Sequence, residues 1–141
     1  MNKNAIQKYA VWARNELIEQ VKQRAFQYGI SEKGYGEENA PVVNGRVLSP
    51  EEKRQRHEFV AKIQEQGYLQ AVEEVAYTWF NRFIALRFME VNDYLPTHIR
   101  VFSDASGEFK PEILKEALHI ELEGLDKAKV SELLNASKTE E

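Results

Sequence analysis

The stretch AYTWFNRFIALRFMEVNDYLP, Ala76 to Pro96, decides how the chain folds. It is the most apolar and aromatic part of the sequence, yet it carries Asn81, Arg82, Arg87, Glu90, Asn92 and Asp93. Upstream it continues a helical pattern from Leu69, and the spacing predicts a helix over 69–91. Leu69, Val72, Ala76, Trp79, Phe80, Phe83 and Leu86 form one stripe, and Val75, Ile84, Phe88, Met89 and Val91 extend it nearly all round. A helix that is apolar on most sides is expected to be central, with several neighbours against it. Pro96 favours an extended Leu95 and ends the helix before it.

The polar residues on this helix pose the functional question. Burying a guanidinium costs several kcal/mol unless it is paired and hydrogen-bonded. One reading makes Arg82 and Arg87 members of helix-surface pairs, with Glu90 three residues after Arg87 as a partner. The other makes Trp79, Arg82, Phe83, Arg87 and Glu90 an interdomain docking face. The number of aromatics favours docking, because 141 residues offer little surface to cover them all.

Working outward, Ile6, Ala10, Ala13, Leu17, Val21, Ala25 and Tyr28 predict a first helix over 4–28, widened by Trp12, Ile18 and Phe26, with Gly29 as its left-handed cap. Ser31 to Leu48 reads as a long, flexible loop. Val42–Val43 and Val47–Leu48 flank Asn44-Gly45-Arg46, which leaves room for one short hairpin. Ser49, Pro50 and Glu52 are a helix start with a capping box, and the second helix should end at Gly67. After Pro96, His98 to Phe102 suits a short strand and Ser103–Gly107 a turn. A fourth helix is expected near Pro111 and a fifth over 126–134, with fraying over 135–141. The expected class is all-α: a single domain over 1–141, a bundle of four to five helices with one irregular loop.

Composition narrows the chemistry. There is no cysteine, so disulfides and thiolate metal sites are excluded. No window approaches the roughly 18 apolar residues of a membrane span, and no signal-peptide pattern opens the chain; a cytoplasmic protein with no membrane partner is expected. The net charge of −4 is uneven. Residues 1–67 hold eleven Lys/Arg and nine Asp/Glu, whereas 68–141 hold eight and fourteen. That lacks the basic excess of an autonomous nucleic-acid binder. Lys53, Arg54 and Arg56 are the candidates for DNA-backbone contact, diluted by Glu51, Glu52 and Glu58. His57, His98 and His119 form no His-Glu-x-x-His pair, Gly34–Gly36 is too short for a phosphate loop, and no Gly-x-Ser-x-Gly elbow occurs. No catalytic, cofactor-binding or metal residue is assigned.

The segment EEVAYTWFNRFIALRFMEVNDYLP, with NKNAIQKYAVWARNELIEQVKQRA at the start, resembles the N-terminal region of adenine-specific DNA methyltransferases of the PglX type, from BREX phage-resistance systems. The resemblance covers about residues 1–106. It implies a parent enzyme that transfers a methyl group from S-adenosylmethionine to the exocyclic amine of a flipped-out adenine. The family's Asn-Pro-Pro-Tyr and glycine-rich cofactor motifs are absent here, and there is no Pro-Pro at all. The resemblance therefore implies a non-catalytic helical domain, with no cofactor of its own. Its implied partners are the remainder of the methyltransferase chain, DNA through the full-length protein, and other BREX components. The rival expectation is a standalone helical protein-interaction module, which should show no exposed apolar patch.

Overall fold

The computed structural model describes residues 2–137. Five helices, α1 (Lys3–Gln27), α2 (Pro50–Gln66), α3 (Tyr68–Val91), α4 (Ile113–Glu116) and α5 (Lys127–Ser137), are joined by one two-stranded sheet, β1 (Val42–Val43) and β2 (Arg46–Val47). The mainly helical class follows directly. The chain divides into two compact units, Met1–Arg82 and Phe83–Glu141, with the boundary inside α3. The fraying expected over 135–141 falls outside the described residues from 138 onward; 135–137 belong to α5.

In the first unit, α1 ends in a Schellman motif. Gly29 takes φ 69°, its N–H donates to the Phe26 carbonyl, and the Ile30 N–H reaches back to the Ala25 carbonyl. This turns Ile30 inward, where Ala25, Ile30 and Val60 form a core with Tyr35, Phe59, Ile63 and Tyr68 packed against it. The hairpin then folds onto the same helix end. Asn44 and Gly45 both have positive φ, 50° and 76°, as a two-residue type I′ turn requires, and Val42 pairs Val47 while Val43 pairs Arg46. The Asn44 amide donates to the Phe26 and Gln27 carbonyls in the last turn of α1, where the i to i−4 ladder runs out.

The capping box at α2 is complete: Glu52 N–H donates to Ser49 Oγ, and Ser49 N–H to the Glu52 carboxylate. That backbone bond, joined by the Tyr28 hydroxyl and Arg46, outweighs partial burial and holds the Glu52 carboxyl at about 2. Gly67 closes α2 at φ 88°.

The apolar face of α1 is buried less than its periodicity suggests. Ala13 and Ala25 are buried, but Ile6, Trp12 and Phe26 are exposed. The same holds for α3, where Ala71, Val72 and Ala76 are buried while Leu69, Tyr77, Trp79, Phe83, Ile84, Phe88 and Val91 are exposed. The helix expected to be wrapped by neighbours is open on much of its circumference.

In the second unit, α3 ends in another Schellman motif, with Asp93 in the left-handed conformation at φ 56° and the Tyr94 N–H on the Met89 carbonyl. The strand expected over His98–Phe102 does not form. The N–H groups that a strand partner would have taken are held by a carboxylate, described below. The Ser103–Gly107 turn does form: Asp104 accepts from the N–H groups of Ser106 and Glu108 and from the Ser106 hydroxyl. Asp126 caps α5 by accepting from the Lys129 N–H.

Candidate functional site

The basic trio on α2 does not act together. Lys53 is exposed. Arg54 is exposed too, bracketed by Glu51 at 2.5 Å and Glu58 at 2.6 Å. Arg56 turns inward and is only 4% exposed. Its Nε donates to the Tyr28 carbonyl at 2.9 Å, Nη2 to Tyr35 at 2.5 Å, and Nη1 to Glu37 at 3.0 Å and Glu38 at 2.5 Å. A guanidinium presents five N–H donors in a rigid fork, and here the fork gathers four carbonyls of the 28–38 segment. His57 Nδ1, next along the helix, lies 2.9 Å from a Glu38 carboxylate oxygen. Arg56 thus fixes a segment that reads as irregular in sequence, and its polar edge faces backbone rather than solvent.

The five residues grouped on α3 also part company. The Arg82 guanidinium lies over the Trp79 ring, 5.2 Å from its centroid, a cation–π contact within the helix. Phe83 meets Phe102 edge-on with centroids 6.0 Å apart. Glu90 is 3% exposed and accepts from the Val101 N–H, the Phe102 N–H and the Ser103 hydroxyl, each at 2.6 Å, and from Arg87. Arg87 also donates to Ser103 Oγ at 3.1 Å, and its guanidinium lies 5.4 Å from the Phe109 ring centroid.

Burial of Glu90 opposes its ionisation. The bonds from Ser103, Phe102, Val101 and Arg87 overcome that and bring the carboxyl down to about 2. Arg87 and Glu90 therefore form an internal polar cluster of the second unit. Sequence spacing identified that pair; the three further donors to Glu90 lie eleven to thirteen residues on and carry no marker of residue type.

In the second-unit half of α3, three apolar residues beside this cluster are also well exposed. At 100° per residue, Ile84, Phe88 and Val91 fall within about 60° of one another and about 100–160° from Glu90, with Arg87 three residues after Ile84 and four before Val91. They are 52%, 60% and 58% exposed. Tyr94, at 61%, stands against Phe88 in an edge-on contact with centroids 5.9 Å apart. These four apolar or aromatic side chains make a continuous patch within the second unit.

Among the described residues, no group of three or more His, Asp or Glu could hold a metal ion, and no helix is long and apolar enough to cross a membrane. His98 pairs with Asp93 at 2.9 Å, both well exposed.

No protein-family model matches the chain, and no solved structure does. Two curated proteins do. Adenine-specific methyltransferase PglX of Lacticaseibacillus casei (strain Zhang) is 40% identical over 137 residues, covering 86% of this chain and 11% of that protein. Adenine-specific methyltransferase BrxX of Escherichia coli O9:H4 (strain HS) is 37% identical over 114 residues, covering 73% of this chain and 9% of that protein. The chain spans about a tenth of the length of the curated relatives it matches. It is homologous to the PglX and BrxX adenine-specific methyltransferases, as a segment like their N-terminal region.

Proposed function

We propose that this chain is the non-catalytic helical domain of an S-adenosylmethionine-dependent adenine N6 DNA methyltransferase of a BREX phage-defence system. It supports the catalytic core, and the cofactor and target adenine are bound elsewhere in the enzyme. One observation carries the reading: the sequence is homologous to adenine-specific methyltransferases yet contains no Pro-Pro and no Asn-Pro-Pro-Tyr. The other parts of the reading are a cytoplasmic location and contacts with DNA through the whole enzyme and with further BREX components. The exposed apolar patch of the second unit weighs against a self-contained interaction module.

The test is a methyl-transfer assay with radiolabelled S-adenosylmethionine and adenine-containing duplex DNA. The 141-residue chain should neither bind the cofactor nor label DNA, while the full-length polypeptide should label adenine. Cofactor binding by the short chain would overturn the division of labour.

A further inference from the structure

We propose that the patch formed by Ile84, Phe88, Val91 and Tyr94 is the seat of the methyltransferase core in the full-length enzyme, held by an apolar face of that core. This rests on the functional reading above and replaces the residue set read from sequence. Arg87 and Glu90 are engaged inside the second unit, whereas these four side chains are each more than half exposed. Single exposed apolar residues are ordinary, but contiguous patches of large ones mark interaction surfaces. Phe88 and Tyr94 also brace each other edge-on, so the aromatic anchors are ordered before a partner arrives.

Charge and length select the occupant. Residues 83–141 hold seven Lys/Arg and twelve Asp/Glu, so pairing two copies through this unit would bring like charge together. An acidic unit with an apolar patch is equally unsuited to nucleic acid. About nine-tenths of each relative lies outside the matched segment, which supplies a partner of ample size in the same polypeptide.

A photo-crosslinking residue placed at Phe88, and separately at Val91, in the full-length protein in its source cells tests this. The control positions are Val47 and Trp12, both exposed. The crosslinked peptide is identified by mass spectrometry. A peptide from the part of the polypeptide carrying the Asn-Pro-Pro-Tyr motif, recovered severalfold more from positions 88 and 91 than from the controls, is the expected result. A peptide from within residues 1–141 would mean self-association, and no crosslink from either position would mean an open surface; both overturn the proposal. Crosslinks to the methyltransferase core from Trp12 alone would sink this surface and leave the functional reading standing. If no position reaches such a core, the functional reading falls as well.

Discussion

Arg56 in the first unit and Glu90 in the second are each a charged side chain withdrawn from solvent to organise a loop, and they do so with opposite chemistry. Arg56 gathers four carbonyls from a segment up to 28 residues away. Glu90 gathers two N–H groups, a hydroxyl and a guanidinium from residues up to thirteen away. Among the described residues Arg56 has no ion-pair partner; neutral carbonyl dipoles alone compensate its charge. Glu90 has a full counter-charge in Arg87. The Glu90 loop is therefore fastened through a carboxylate that takes up a proton in acid.

The largest effect should come from Arg56. Arg56→Met takes the shared donor from the part-buried Tyr28, Tyr35, Glu37 and Glu38 carbonyls, of which Glu37 keeps the Ala40 N–H, and should cost about 3–5 kcal/mol at about 1–3 kcal/mol for each group left unpaired. Arg56→Lys should recover little, because an ammonium cannot present the planar fork that reaches Tyr28, Tyr35, Glu37 and Glu38 together. Urea unfolding measures the loss, and hydrogen exchange should rise over 28–38. If Arg56→Lys were as stable as the parent, the fork geometry would not be the cause.

Glu90 should come next, and its signature is pH. Glu90→Gln keeps the shape but turns an amide against donors, costing about 2–4 kcal/mol at neutral pH. The parent carboxyl is lowered to about 2 in the folded protein, against an ordinary value of 4.5. Its contribution is therefore complete above about 4.5 and is lost as pH falls toward 2, where folded and unfolded forms bind the proton alike. Urea midpoints for the parent should decline across that window and those for Glu90→Gln should decline less. Equal slopes would show that other carboxylates dominate. Arg56→Met should leave the acid slope unchanged, which separates the two clusters.

Gly29→Ala tests the frame around Arg56 with a smaller change. The residue sits at φ 69°, and an added Cβ would meet Val43 Cγ1 at 2.7 Å. The left-handed backbone alone costs about 1–2 kcal/mol for a residue with a Cβ. The thermal midpoint should fall, and exchange should quicken in the hairpin 42–47 before the rest of the unit.

These positions also show what a sequence discloses. Gly29, Ser49, Glu52 and Gly67 were legible because their work is local: a left-handed cap, a capping box and a helix stop each have a residue type at a fixed offset. The Asn44-Gly45 turn was legible for the same reason. Arg56 was not, because its partners are backbone carbonyls, which every residue has. The strand expected over His98–Phe102 failed for a related cause: Val101 and Phe102 do pair their N–H groups, but with the Glu90 carboxylate. On α3 the apolar periodicity named the helix correctly. It could not say which stripe is covered, since Val72 and Ala76 are buried while Ile84, Phe88 and Val91, equally apolar, are not. That depends on what lies opposite, which helical periodicity does not encode.

The smallest effect is the sharpest control on the first comparison. Arg54 lies two residues before Arg56 on α2, a rotation of about 200°, so it faces solvent where Arg56 faces the loop. Its partners Glu51 and Glu58 are as exposed as it is, and pairs of this kind contribute little because water and salt screen them. Arg54→Ala should leave the urea midpoint unchanged within error and hydrogen exchange over 28–38 unaltered. A clear loss would mean that charge on α2, rather than the inward fork of Arg56, holds the first unit's loop. The same variant bears on DNA. If α2 touches phosphate in the full-length enzyme, Lys53→Ala should lower the salt dependence of binding by about one counterion, and Arg54→Ala by less, since its charge is already offset by two carboxylates. Equal losses would place both side chains on the backbone. No change from either would leave α2 a structural helix whose one indispensable cation points inward.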